Sequence, residues 1–358
     1  MRHIEINLPF GLPPAESAPE LMRELQAPSL AMMLSRVSQS PQQATPHSGF
    51  RSLPNELWLA RQFGFGMPTD SDTSPPIAAA MMNSFGLHEE GCWFILNPAH
   101  IRFARNRLEL SDLRSLALKD AESHALFQAA KPFFDEQGRH LIYGDATTWF
   151  MRADDWEDLK TSTPDAACGQ NLEFMQAEGN GDTAWHRLHN DVQMTWHSHR
   201  VNAERKKADN LPVNALWLWG GSGSGGKKGK IVSMQKEGMM FTSGFRLSGW
   251  SGAFAPLLQN DRFEYGANEL IAAHPRHALL MFDELTAPAL ANDWESWLAA
   301  YRNLDRKWLA PLLGTLRVRK TSRLSLHAGN DEKMLSFSTT SLSLMKFWIK
   351  PSLSRLVA

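Results

Sequence analysis

The stretch from Trp185 to Gly221 holds the densest set of side chains able to make directional contacts with a ligand. Turned as a helix at about 100° per residue, Trp185–Glu204 places Trp185, Leu188, Val192 and Trp196 on one apolar stripe. His186, Asn190, Gln193, His197 and Glu204 gather a quarter to a third of a turn away. An ordinary solvated face mixes lysine with glutamate; this one carries mostly neutral donors and acceptors, which suit hydrogen bonding to a ligand or to a buried partner. Further on come Asn202 and Arg205, a polar run Lys206–Asn210 that ends the helix, and an apolar strand Val213–Trp219 that runs into Gly220-Gly221. Strand ends followed by glycine are where α/β proteins place ligands, because the backbone can approach closely. Asn190, Gln193, His197, Asn202, Arg205 and Asn214 are therefore the candidate ligand-binding residues. A structural reading stays open beside it: a polar face packed under a loop, with Asn202 and Asn214 bridging the helix-to-strand turn.

Other chemistry is weaker. His186, His189, His197 and His199 lack an acidic or cysteine partner at a standard metal spacing, so neither a metal nor a cofactor is expected there. Gly221–Lys227 fits the first seven positions of a phosphate loop. The eighth is Lys228 rather than serine or threonine, and Gly229–Val232 reads as a strand, so the helix dipole is missing. Attraction of an anion by Lys227, Lys228 and Lys230, or a plain linker, fits the loop better. Asp154-Asp155 reads as structural. Arg102, Arg105 and Arg107 near His100 suit either a phosphate or a solvated strand edge, and Arg317, Arg319, Lys320 and Arg323 a charged edge strand. Cys92 and Cys168 are the only cysteines and read as ordinary thiols, which excludes a disulfide framework.

The elements that must hold these residues alternate. Residues 3–10 read as a first strand, 19–35 as a helix, 38–49 as a polar loop, 92–96 as a buried strand, 120–130 as a helix, and 139–143 with 147–152 as paired strands. Residues 185–205 read as one long helix. Gly220–Lys230, with six glycines and three lysines, is a linker or a ligand loop. Beyond it, Ala289–Leu304 carries Trp294, Trp297, Tyr301 and Leu304 on one stripe, and Gly329-Asn330-Asp331 makes a hairpin turn. The expected class is α/β, a mixed sheet with flanking helices, with a C-terminal α+β region. The expected domains are 1–221, a Gly/Lys-rich segment 222–238, and 239–358.

Composition narrows the function. Thirty-seven basic residues against 38 acidic ones leave no overall field for nucleic acid or an anionic membrane, so neither is expected as a partner. No run approaches the roughly 18 apolar residues of a membrane helix, and no secretory signal opens the chain, so a cytoplasmic location is expected.

Residues 189–194 (HNDVQM), His199 with Val201, Asn202 and Arg205, and residues 211–221 (LPVNALWLWGG) resemble the RpfE-type regulatory family of bacterial proteins, often labelled phosphoglycerate mutase-like. Residues 8–14, 97–102, 149–156 and 163–169 add to the likeness, which covers most of 3–221 and thins from Ser222. More distantly, the block is similar to a domain inserted into archaeal-type cofactor-independent phosphoglycerate mutases. There, the resemblance implies, it accompanies a phosphatase-like core with a serine nucleophile and two metals held by aspartates and histidines. The motifs of that core are not recognisable in this sequence. The resemblance thus implies a regulatory or metabolite-binding protein that takes a small anionic metabolite or a protein partner. The alternatives are a mutase-like isomerase or phosphatase, and a protein-interaction module using the tryptophan-rich C-terminal half.

Overall fold

The computed structural model describes residues 2–38, 42–44, 51–65, 72–104, 106–222, 239–243, 267–273 and 276–357. The glycine–lysine loop beyond Ser222, most of the polar stretch 38–49, and Arg105 lie outside the described residues. The chain is α/β, as its alternating pattern predicts, and divides into two compact units: 1–46, 233–247 and 257–358 in the first, 47–232 and 248–256 in the second. The division is not the sequential one expected. The first strand joins the C-terminal elements because its partners in the ladder lie there.

In chain order the strands are β1 (His3–Leu8), β2 (Gln42–Ala44), β3 (Trp93–Ala99), β4 (Ile101–Ala104), β5 (Arg107–Leu110), β6 (Leu141–Asp145), β7 (Thr148–Arg152), β8 (Ala215–Ser222), β9 (Met239–Ser243), β10 (His277–Met281), β11 (Arg323–Gly329) and β12 (Met334–Thr340). The first unit holds a mixed sheet in the order β2-β12-β11-β1-β10-β9. β1 runs parallel to both β10 and β11, while β12 folds back antiparallel on β11 through the predicted Gly329-Asn330 turn.

Side chains alternate across a strand. Ile4, Ile6 and Leu8 enter the main core with Ala278, Leu280, Leu324, Leu326 and Phe337. His3, Glu5 and Asn7 therefore share the other face with His277, Ser325 and His327. The tryptophan stripe of the C-terminal half is confirmed as core: Trp297, Tyr301, Leu304 and Trp308 are buried. Its helix starts later than the sequence suggests, at Trp294, because Asp293 accepts from the Ser296 N–H as N-cap. Pro28–Ser35 begins at Ala27, which has no capping side chain, and Asp305 supplies the cap instead, accepting from Leu30 N at 2.7 Å and Ser29 N at 3.3 Å.

The second unit holds an antiparallel sheet, β6-β7-β3-β8, beside the two-stranded ribbon β4-β5. Helices Asp120–Glu136 and Asp182–His197 cover one face of the sheet. Leu126, Phe127 and Phe134 from the first meet Trp185, Leu188, Val192 and Trp196 from the second over Leu96, Trp149 and Leu216. Each such buried side chain is worth about 1.5–3 kcal/mol, so this stripe fixes the helix far more than its polar neighbours do.

Candidate functional site

The expected single helix 185–205 is two helices. Asp182–His197 stops at Ser198, and His199 turns its Nδ1 to accept from Val201 N, capping a second helix Arg200–Lys207. The break lets Asn202 face the preceding turn. Its Nδ2 donates to the carbonyls of Trp196 and Val213, both at 2.8 Å, and its Oδ1 accepts from Val213 N at 2.8 Å. Asn214 does not meet Asn202; its amide closes on the backbone of Ile101 instead. Gln193 donates to the Asn214 carbonyl at 2.8 Å. Arg205, buried, holds the carbonyls of Leu211 and Leu116 and pairs with Glu122 at 2.9 Å. Asn190 and His197 are exposed on the outside of the helix.

The six predicted residues thus do not line one cavity. Asn202, Arg205, Asn214 and Gln193 use their polar groups on backbone, and hold the turn, β8 and the segment around Leu116 in register. His189 does the same. It stacks on Trp185 at 5.5 Å and accepts from Leu216 N through Nε2 at 3.1 Å, and burial pulls its pKa down to about 4, so the ring is neutral. Of the basic strand residues, Arg102 and Arg107 are occupied by Glu109, which is buried.

What this frame encloses lies at the other end of β8. Asn97, Arg114, Leu116, Thr147, Asp165 and Trp219 are among the walls of a cavity of about 110 Å³. At roughly 30 Å³ per water it admits a small ligand rather than a nucleotide. Trp219 donates its indole N–H to Asn97 Oδ1 at 2.5 Å, and Asn97 Nδ2 donates to the Thr147 carbonyl at 2.7 Å. Gly220 follows with φ +72°; a side chain there would meet Ile95 Cδ1 at 2.9 Å, and its N–H is held by Ser74 Oγ at 2.8 Å. Arg114 forks onto Asp165 (2.7 and 3.3 Å) and reaches Asp112 through Nε at 2.8 Å. Arg114 and Asp165 are the charged groups of this wall, and their pairing leaves it without a net charge to attract an anion.

Asp165 belongs to the turn Thr163-Pro164-Asp165, and the Thr163 hydroxyl donates to the fully buried Glu56 at 2.7 Å. Glu56 Oε2 also accepts from Leu53 N at 2.7 Å, while Oε1 has no partner. Burial, and next the Asp165 charge, raise the Glu56 pKa to about 8, so at neutral pH it is a neutral acid. Sequence reading missed Glu56 and Arg114. Their only local signal is Pro54-Asn55-Glu56, a helix start with an acid at its third position.

A second, wider cavity of about 470 Å³ has Arg51 in its wall, paired with Glu178 at 2.8 Å and 4.0 Å from Asp72. His186 is the one member of the predicted polar stripe that reaches it.

Among the described residues, the side chains do not supply the two-metal phosphatase core implied by the sequence resemblance. Among the described residues the carboxyl ends of β1, β10 and β11 bring no trio of histidine, aspartate and glutamate together. Among the described residues, too, no helix is long and apolar enough to cross a membrane.

These two sheets and their helices define an α/β protein of two units. Its fold is similar to that of the PH0037 protein from Pyrococcus horikoshii, at 12% identity and a TM-score of 0.53, over 95% of this chain and 87% of that one. A looser similarity, at a TM-score of 0.42 and 13% identity, runs to a cofactor-independent phosphoglycerate mutase from Thermoplasma acidophilum DSM 1728, over 100% of this chain and 94% of that one. No family model matches the chain, and no curated protein does.

Proposed function

We propose that this chain is a metabolite-binding regulatory protein of the RpfE type, and that its ligand sits in the second-unit cavity beside Trp219. One observation carries the reading. The cavity combines an apolar wall with a few fixed polar groups, the Asn97–Trp219 pair and the Arg114–Asp165 fork, which is the usual make-up of a small-molecule site. The wall's charged groups, Arg114 and Asp165, neutralise each other, which favours a neutral ligand over the anionic metabolite expected from the sequence. The cytoplasmic location expected from the sequence fits this role.

A metabolite screen read by tryptophan emission and thermal shift tests the reading. Binding that disappears in Leu118→Trp, which fills the cavity, supports it. Turnover of phosphoglycerates by the purified chain would instead favour the mutase-like enzyme.

A protein-contacting module is the second reading. Leu342, Met345, Phe347 and Trp348 stand exposed within seven residues, and Trp348 is 69% accessible. Sedimentation of wild type against Trp348→Ser tests it: identical, concentration-independent behaviour with no co-purifying protein counts against it.

A further inference from the structure

We propose that His3, Glu5 and His277 form a binding site for a single divalent transition metal of the zinc type on the polar face of the first unit's sheet. The placement follows from strand geometry. His3 and Glu5 are two apart on β1 and share a face, and the parallel register sets His3 beside His277. Their rings stack at 5.1 Å, 5° from parallel. Glu5 Oε1 lies 3.6 Å from His3 Nδ1 and 3.6 Å from His277 Nε2, and all three donor atoms fall within 4.8 Å of one another.

Those separations decide between two readings. Hydrogen bonds from a ring nitrogen to a carboxylate run about 2.7–3.2 Å, so 3.6 Å is too long. Ligands on a zinc tetrahedron with bonds of ~2.0–2.1 Å stand roughly 3.3–3.4 Å apart, so two of the three edges need to close by only a few tenths of an ångström. His277 Nε2 is buried with no hydrogen-bond partner.

The surroundings match a metal site. Ser325 Oγ lies 2.8 Å from His3 Nε2, so the ring can donate there and leave the Nδ1 lone pair toward Glu5; ligating histidines are commonly held in this way. His327, held by Ser336 at 2.8 Å, is pulled by burial to about 4 and adds no positive charge at neutral pH. The side chains of His3, Glu5 and His277 are 29%, 15% and 16% accessible, enough for entry and for water as a fourth ligand. Two imidazoles and one carboxylate select zinc, cobalt or nickel over magnesium or calcium. The site lies at the amino ends of β1 and β10, away from the carboxyl ends where α/β sheets place substrates.

The test uses the full chain, stripped with a chelator. Titration with Zn²⁺ should show one ion per chain and a raised melting temperature, and Co²⁺ should give the absorption of a tetrahedral site. Glu5→Gln and His277→Gln should each weaken Zn²⁺ at least tenfold, and Ser325→Ala about tenfold. Circular dichroism checks that each variant is folded; if one is not, the other two and the Co²⁺ spectrum of the wild type decide. A wild-type chain that takes up no stoichiometric Zn²⁺, or folded variants that bind it as tightly as wild type, overturns the proposal.

Discussion

The side-chain amide of Asn214 closes both of its hydrogen bonds on one residue: Oδ1 accepts from Ile101 N and Nδ2 donates to the Ile101 carbonyl, each at 2.8 Å. The amide thus imitates one rung of a β-ladder, where β3 gives way to β4 and β8 begins. A net hydrogen bond is worth about 0.5–1.5 kcal/mol, and a buried group left unpaired costs about 1–3 kcal/mol. Asn214→Ala should therefore cost about 1–3 kcal/mol. Asn202→Ala, which strands Val213 N and two carbonyls in the interior, should cost more. Urea unfolding followed by tryptophan emission reads both; unchanged midpoints would mean that the contacts are idle.

Arg205 links this frame to the cavity wall through the Leu116 carbonyl. Arg205→Lys keeps the charge but loses the fork that reaches Leu211, Leu116 and Glu122 together. A loss of about 2 kcal/mol is expected, with a weaker hold of any ligand found at Trp219. Equal binding by wild type and variant would separate frame from cavity.

Glu56 sets a pH slope. Its folded pKa of about 8 lies above the ordinary 4.5, so between these values the folded state holds a proton that the unfolded state has released. Stability from this group is full below pH ~4.5 and falls as the pH rises toward 8, by at most about 1.4 kcal/mol per unit. Glu56→Gln keeps an acceptor for Leu53 N and Thr163, and should flatten the curve. Denaturant midpoints for both proteins from pH 5 to 9 test this; parallel curves would assign the slope elsewhere.

Asn7 is fully buried on β1, and neither its Oδ1 nor its Nδ2 has a partner. An apolar side chain of similar size removes that desolvation cost, so Asn7→Leu should raise stability by about 1–2 kcal/mol. Calorimetric melting checks it, and a lowered melting point would show that the amide is satisfied by something the chain binds.

Asp305→Ala should cost about 1–2 kcal/mol, because the start of Pro28–Ser35 loses both of its acceptors. Asp305→Asn keeps an acceptor and should cost less. Equal melting points for the two variants would refute the capping role.

Sequence reading reached what local periodicity encodes. The alternation in β1, the stripe Trp185-Leu188-Val192-Trp196, the hairpin at Gly329-Asn330 and the tryptophan face after Asp293 all follow from side chains a few positions apart. The helix break at Ser198 is harder to see, because no glycine or proline marks the stop and a histidine is an uncommon N-cap. Asn214 to Ile101 spans 113 residues, Asp305 to Leu30 spans 275, and β1 finds β10 across a comparable gap. Such pairings leave no mark within any window of sequence. The metal trio and the Glu56–Thr163 contact are of the same kind.

The position of β1 also bears on how the chain is made. β1 lies between β10 and β11, so neither of its neighbours exists when it leaves the ribosome. At ~5–20 residues per second, a nascent chain would carry Ile4, Ile6 and Leu8 without partners for roughly 15–55 s before His277 is added. The second unit is encoded between the two and can close first. Assembly of the first unit is then a late event, and a chain truncated before Arg323 would leave the β11 edge of β1 unpaired, marking it for chaperones or proteases.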